Sequence, residues 1–204
     1  MANKYRKHSH ALFIWIYVSL LIGVVVCLSA CGRPVTPRPD GYFRIESYPQ
    51  SYRVDTIGRI TLQVNDSAQS TAVENQSGMG TRWLNIFYPR YHATLYLSYI
   101  PVISQEALGQ LLGEGREFVY RQNVNTAAVE AIAYENPEQP LFATLYTLSA
   151  ESATPLQFIA TDSAEYLLRG VLYYDSPVRT DSVAPTLEYL ETEIIQMIES
   201  ISKY

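Results

Sequence analysis

The pattern of hydrophobic and polar residues predicts two helices in the second half of the chain. From about Gln105 to Gln122, and again from about Val183 to Ser200, apolar residues recur every three or four positions, as they do along one face of a helix. Ser104 is placed to cap the first helix, and Asp181 or Ser182 the second. Each apolar stripe is therefore expected to face a core.

Each of the two predicted helices contains a residue that disfavours helix at most positions. Gly115 lies on the apolar face of the first helix, which predicts close contact with a neighbouring element. Pro185 lies in the first turn expected for the second helix, where a missing N–H is tolerated.

A period of two residues predicts strands before the first helix and between the two helices. The expected strands cover 57–64, 82–88, 92–99, 126–134, 141–148, 156–161 and 166–174. Tight turns separate several of them, so neighbouring strands are expected to be antiparallel. Residues 65–80 are polar and contain three glycines or serines close together, so they are expected to form a surface loop. The predicted fold class is α+β, an antiparallel sheet flanked by two main helices, and this element order resembles the PsbP-like arrangement.

The N-terminus has the pattern of an export signal. Lys4, Arg6 and Lys7 precede an uncharged run from Ala11 to Leu28. This run is 18 residues long, so an uncleaved membrane anchor is the alternative interpretation. The sequence Leu28-Ser29-Ala30-Cys31 that ends the run is typical of a lipobox, in which small residues fit the peptidase and the cysteine thiol takes the lipid.

These signals predict three parts. Residues 1–30 are a lipoprotein signal peptide, residues 31–41 are a lipidated Cys31 with a proline-rich tether, and residues 42–204 are a single globular domain. At about 3.1 Å per residue, the tether spans roughly 30 Å. Gly32 and its neighbours include no acidic run, which favours an outer-membrane protein that faces the periplasm.

Composition and charge change once the signal is set apart. The whole chain has 204 residues, 48% of them hydrophobic, and a net charge of −5, which excludes a disordered chain and a basic nucleic-acid binder. After residue 30, 12 basic residues stand against all 20 acidic ones, so the net charge is −8. Cys27 and Cys31 are the two cysteines, so the mature chain has no thiol for a disulfide, a thiolate metal site or a nucleophile.

Candidate catalytic residues are few. His92 is the one histidine after the signal, and it opens a strand on the more polar side, which favours a structural or solvent-facing histidine. Asp162 and Ser163 are adjacent in an expected turn, where both residue types are common turn formers. We predict no catalytic residue, metal site or cofactor.

Arginine and tyrosine are the residues that indicate a binding surface. The chain after residue 30 has eleven arginines, one lysine and fifteen tyrosines, and Tyr and Arg are enriched at interface hot spots. Both types meet at Tyr42 and Arg44 and again at Arg90 and Tyr91, which are the candidate interaction residues. The alternative is that many of these tyrosines belong to strands and the core.

Several phrases of the sequence resemble the gliding-motility lipoprotein GldD family of Bacteroidetes. They are 41–45, 83–91, 97–101, 155–158 with 161–163, 168–173 and 181–185. The resemblance implies an envelope lipoprotein without enzymatic activity that works with other gliding and type IX secretion lipoproteins. It also includes the Asp162-Ser163 turn and Arg169 in its pattern. Arg169 lies in an apolar strand, where a buried ion pair can form, and a structural role is favoured.

Two functional hypotheses follow. The first is a lipid-tethered interaction component of gliding motility or type IX secretion, which contacts the bilayer through acylated Cys31 and binds other lipoproteins. The second is a tethered periplasmic domain that binds a ligand or hydrolyses a substrate through His92 and Asp162. Neither hypothesis includes a nucleic acid or a metal.

Overall fold

The computed structural model describes residues 15, 17–22, 46–73, 80–122, 128–148, 152–175 and 180–204. Contacts divide the chain into Met1–Gly41 and Tyr42–Tyr204, and each unit is described by itself. In the first unit, residues 17–22 are helical. Among the described residues, no helix has both the length and the apolar character that crossing a membrane requires.

The described part of the second unit consists mainly of antiparallel strands. Its elements, in chain order, are β1 (Tyr52–Ile57), β2 (Ile60–Asn65), β3 (Gln69–Val73), β4 (Arg82–Tyr88), a 3₁₀ turn (Pro89–Tyr91), β5 (Ala93–Pro101), α1 (Gln105–Gln122), β6 (Val129–Asn136), β7 (Leu141–Leu148), β8 (Leu156–Thr161), β9 (Tyr166–Tyr174), α2 (Thr180–Glu199) and β10 (Ser202–Lys203). Strands β1, β2 and β10 form a small sheet, and the other seven form a large sheet in the order β3-β4-β5-β9-β8-β7-β6. The predicted α+β class with an antiparallel sheet is confirmed.

The large sheet is covered differently on its two faces. On the inner face, Leu190 and Ile194 of α2 are buried in one core with Leu62 of β2 and Leu97 of β5. On the outer face, α1 packs through a second core that includes Val119. Strand β8 is buried along its whole length, since both layers cover it. This outer face carries the residues discussed below.

The predicted boundaries of α1 are confirmed by its contacts. The Ala107 N–H donates to Oγ of Ser104 over 3.1 Å, so Ser104 caps the first turn. A Cβ on Gly115 would lie 2.7 Å from Cδ1 of Ile159, so the expected close contact is present. The absence of a side chain at 115 lets the helix lie directly on β8.

The start of α2 differs from the prediction. The helix begins at Thr180, so Asp181 and Ser182 lie inside it and are not its N-cap, and Pro185 lies beyond the first turn. Acidic and hydroxyl residues suit the first turn of a helix as well as its cap, which is why the sequence placed the boundary too late.

The strand expected over 57–64 is confirmed over 60–64, which lies in β2, and was wrong at its start, because the chain turns between Ile57 and Ile60. Strands β1 and β2 form a hairpin in which Ile57 pairs with Ile60. Gly58 between them has a φ of +62°, a conformation that favours glycine. A Cβ at this position would lie 2.4 Å from the Tyr99 ring, so the turn also requires the lack of a side chain.

The loop expected over 65–80 was also wrong in part. Strand β3 lies within it and pairs with β4, and residues 74–79 lie outside the described residues. Strand β3 is an edge strand with mostly exposed side chains. Its composition is therefore polar, and the hydrophobic pattern has little signal there.

Candidate functional site

Arg90 and Tyr91, two of the predicted interaction residues, hold the first described residues of the second unit. Nη1 of Arg90 donates to the carbonyls of Glu46 and Ser47 over 3.0 and 3.3 Å. The Arg90 guanidinium also lies 5.1 Å from the ring centre of Tyr48, within cation–π distance. The Tyr91 hydroxyl donates to the Glu46 carbonyl over 2.9 Å. The two side chains therefore fix residues 46–48 on the domain.

Tyr91 is a core residue. Its ring is buried against those of Tyr48 and Tyr189, with ring centres 5.1 Å apart in each pair. Burial raises the pKa of Tyr91 to about 12, so the hydroxyl is neutral at physiological pH. Tyr91 therefore lies mostly in the core, and its role in an interaction stays a prediction.

The remaining candidates on this part of the chain divide into two groups. Arg90 is partly exposed, and its interaction role stays a prediction. The other predicted residues lie outside the described residues: Leu28, Ser29, Ala30, Cys31, Tyr42 and Arg44.

The Asp162-Ser163 turn joins β8 to β9. Oδ1 of Asp162 accepts the backbone N–H groups of residues 164, 165 and 166 over 3.0, 2.8 and 3.2 Å. Ser163 has a positive φ of 64°, and its exposed position is at the tip of the turn. One carboxylate oxygen thus satisfies three donors that the turn would otherwise leave unpaired.

The second oxygen of Asp162 ties the turn to the C-terminus. Nζ of Lys203 in β10 forms an ion pair with Oδ2 of Asp162, whose side chain is 1% exposed, and lies 3.4 Å from Oε1 of Glu165. Burial by itself would raise the pKa of Asp162, but the Lys203 ammonium and the three N–H donors outweigh burial and hold this pKa below its usual range. The contacts give Asp162 a structural role in joining the two sheets.

His92 and Asp162 do not form a pair. His92 is exposed beside the end of β9, with Nδ1 3.9 Å from Oδ2 of Asp175. The register pairs Ala93 with Tyr174 at this end of β5 and Pro101 with Tyr166 at the other end, near Asp162. Eight residues of strand separate the two ends, roughly 27 Å. A hydrolytic site that uses both side chains is therefore not assembled.

Arg169 has an unusual environment on the outer face of β9. Its guanidinium carbon lies 3.5 Å from the ring centre of Phe118 on α1. Nε and Nη2 are inaccessible to solvent and have no hydrogen-bond partner among the described residues. Burial lowers the pKa of Arg169 from its ordinary value, with Tyr173 opposing that shift, but an arginine remains charged at neutral pH.

The carboxylates of Glu114, Glu117 and Asp175 line the same pockets as Arg169, but none of them forms an ion pair with it. Glu114 and Glu117 lie on the same side of α1. Glu117 is paired with Arg121, whose Nη2 lies 2.6 Å from Oε1 of Glu117. No ion pair of Arg169 occurs within the described part of the chain. The ion pair considered from the sequence is therefore absent there, and the guanidinium lies against the Phe118 ring.

Arg169 borders a cavity of about 600 Å³. Tyr96, Ser98, Phe118, Val171 and Tyr173 line it, and Tyr174 and Asp175 complete one end. The rings of Tyr96 and Tyr173 meet edge to face with centres 5.5 Å apart. The cavity thus has aromatic walls, the partly buried positive charge of Arg169 and the carboxylate of Asp175 at one end.

Tyr96, Phe118 and Tyr173 were not predicted from the sequence as site residues. Tyr96 has the clearest signal, because it falls on the polar side of β5, between Thr94 and Ser98, although its ring is large and apolar. Phe118 belongs to the apolar pattern of α1 in the sequence, and its position over Arg169 depends on how the helix crosses the sheet. In the described ranges, no group of three His, Cys, Asp or Glu side chains is arranged to hold a metal ion.

The family of the chain is shown by its sequence. The model of the gliding motility lipoprotein GldD family matches residues 32–202, and the chain belongs to this family. It is thus a gliding motility-related lipoprotein, which is a membrane-anchored class of protein. A search of curated protein sequences finds no match.

Among solved structures, the chain is similar to the solution structure of cyanobacterial PsbP from Synechocystis sp.. The two are 14% identical with a TM-score of 0.44, over 82% of this chain and 99% of that chain.

Proposed function

We propose that this protein is a non-enzymatic interaction component of the gliding motility and type IX secretion machinery. The observation that carries the proposal is the family match, which begins at residue 32, directly after the lipobox cysteine. Support comes from the separation of His92 and Asp162 and from the partly exposed aromatic and arginine side chains of the outer face. Such side chains are typical of protein contacts.

The proposal includes the anchor. Acyl chains such as palmitate are attached at Cys31, and residues 32–41 separate the domain from the bilayer. More than one chain is needed for stable anchoring, because a single chain binds membranes reversibly. The lack of acidic residues next to Cys31 supports an outer-membrane location facing the periplasm.

Replacing Cys31 by alanine is expected to abolish the incorporation of fatty acid and the cleavage of the signal. The reason is that the thiol of Cys31 is the atom that accepts the lipid. Labelling of cells with a clickable fatty acid, followed by capture of the tagged protein, measures this. The matched control is Cys27→Ala, which removes the other cysteine and should leave labelling unchanged. Normal labelling of the Cys31→Ala protein would contradict the anchor.

The interaction role is tested by crosslinking in cells. The full-length, tagged lipoprotein is crosslinked, purified under denaturing conditions and analysed by mass spectrometry. We expect envelope proteins of the gliding or secretion machinery to be enriched over an untagged strain. If no envelope protein is enriched although the lipoprotein itself is recovered, the interaction role fails.

A tethered ligand-binding domain is the second candidate function. The cavity beside Arg169 is the observation that favours it, because a concave site with a few placed polar groups is typical of small-molecule binding. The hydrolytic form of this candidate loses support, since His92 precedes one end of β5 and Asp162 lies in a turn near the other end. If the cavity binds a soluble ligand, the purified lipoprotein is expected to carry or bind a small molecule in the absence of other proteins.

A further inference from the structure

The outer face of the large sheet continues beyond Arg169 as a partly open aromatic surface. Helix α1 covers β8 and reaches β9 at Arg169, where Phe118 lies on the guanidinium. The register places Ser98 of β5 beside Arg169 and Trp83 of β4 beside Ser98, so these side chains form one row across the sheet. We call the outward positions of β4, β5 and β9 around this row the Arg169 face.

We propose that the Arg169 face is the docking surface for a segment of another protein, which places an Asp or Glu carboxylate on Arg169 and apolar side chains on Tyr96 and Trp83. The inference rests on the proposed function, because it names the chemistry of the partner of an interaction component. It assigns the contact with the partner to the Arg169 face and to the charge of Arg169.

The charge is the first argument. A buried or partly buried cation normally has a hydrogen-bonded anionic partner, because desolvation without a partner costs free energy. Arg169 has Phe118 instead, and two of its three nitrogens have no acceptor among the described residues. A carboxylate is the planar acceptor that matches the guanidinium. Seating it requires the Phe118 ring to give way, and side-chain rotamer changes of this kind are common at interfaces.

The exposed rings are the second argument. Tyr96 is 44% exposed and Trp83 37% exposed, although both lie on strands of the central part of the sheet. Tyr96 also forms a wall of the cavity that Arg169 borders. Large aromatic side chains around an arginine are the residue types that dominate binding energy at interfaces.

The overall charge limits what the segment can be. The chain after residue 30 has a net charge of −8, so a strongly acidic tract would be repelled at long range. A mainly apolar segment with one carboxylate avoids that repulsion and still pairs with Arg169. The occupant is therefore a polypeptide of this kind from another protein.

The test is photo-crosslinking of the full-length lipoprotein in its own cells. Tyr96 is replaced by benzoylphenylalanine, and Tyr204, which is 75% exposed at the C-terminus, is replaced in the same way as the matched control. We expect a crosslinked partner from position 96, with the crosslink mapped next to an Asp or Glu, and none of this partner from position 204. Arg169→Met should reduce the position-96 crosslink at least about tenfold, because ion pairs across interfaces are worth that much or more.

A charge swap and a stability measurement complete the test. Arg169→Glu should abolish the crosslink, and replacing the mapped acidic residue of the partner by arginine should restore it. Arg169→Met should unfold at the same temperature as the wild type or higher, since it removes an unpaired charge. A crosslink that Arg169→Met does not change, a crosslink to lipid or to a second copy of this chain, or a loss of the crosslink explained by unfolding would each overturn the inference. If position 96 gives no partner while whole-cell crosslinking still does, the inference fails and the proposed function stands.

Discussion

Replacing Gly170 by alanine is expected to lower the free energy of unfolding by about 3 kcal/mol, because it overpacks the core. A Cβ at this position would lie 2.1 Å from Cε1 of Phe158. Phe158 is the register partner of Gly170 in β8 and is fully buried, so its ring has no free space in which to move. Urea unfolding of the full-length protein, followed by intrinsic fluorescence, measures the change.

Gly113→Ala is the matched control. No atom lies within 4 Å of a Cβ built on Gly113, which is exposed on α1. Alanine is the better helix former, so this variant should be as stable as the wild type or up to about 1 kcal/mol more stable. Equal stability of Gly170→Ala and the wild type would mean that Phe158 does not pack on β9 as described.

Replacing Asp162 by alanine is expected to lower the free energy of unfolding by about 3 kcal/mol, because three backbone donors lose their acceptor and the ion pair of a buried carboxylate is removed. Three N–H groups lose their acceptor, and Lys203 loses the partner that ties β10 to the turn between β8 and β9. Asp162→Asn keeps an oxygen acceptor for the N–H groups, so its free energy of unfolding should fall by less than that of Asp162→Ala. Urea unfolding at neutral pH ranks the three proteins.

The pH dependence separates the charge of Asp162 from its hydrogen bonds. The pKa of Asp162 is lowered in the folded state, so its contribution is complete above the unfolded value of about 4 and declines as the pH falls through the folded pKa. Asp162→Asn has no such charge to lose. The difference in stability between the wild type and Asp162→Asn should therefore narrow below about pH 4. A difference that stays constant from pH 7 to pH 2 would contradict the lowered pKa.

Much of this fold is predictable from the sequence because the spacing of its hydrophobic residues indicates where helices and strands lie. The limits of α1, β4, β7, β8 and β9 agree with the apolar pattern, since each element buries at least one regular face. The pattern is weak where a strand is exposed or short, which explains why β3 and β10 were missed. The hairpin at Gly58 was missed because β1 contains Arg53, Asp55 and Thr56, so its apolar pattern is weak and the expected strand began only at Ile57.

The Arg169 face was only partly predictable. The sequence singles out Arg169 within an apolar strand, but its neighbours come from β4, β5 and α1, which are distant in the sequence. Strand register and the crossing of the helix decide which side chains meet there. The same reasoning explains Tyr91, which has the composition of a surface hot spot in the sequence and a buried position in the fold.

The central claim is that this lipoprotein acts by contact and not by chemistry of its own, and complementation of a deletion strain tests it most directly. The strain receives the wild type, Arg169→Met or His92→Ala, and gliding or secretion is measured at matched amounts of membrane-anchored protein. We predict that His92→Ala restores the activity fully and that Arg169→Met, folded and present at wild-type levels, does not. Full activity of Arg169→Met, or loss of activity in a stable His92→Ala protein, would contradict the account.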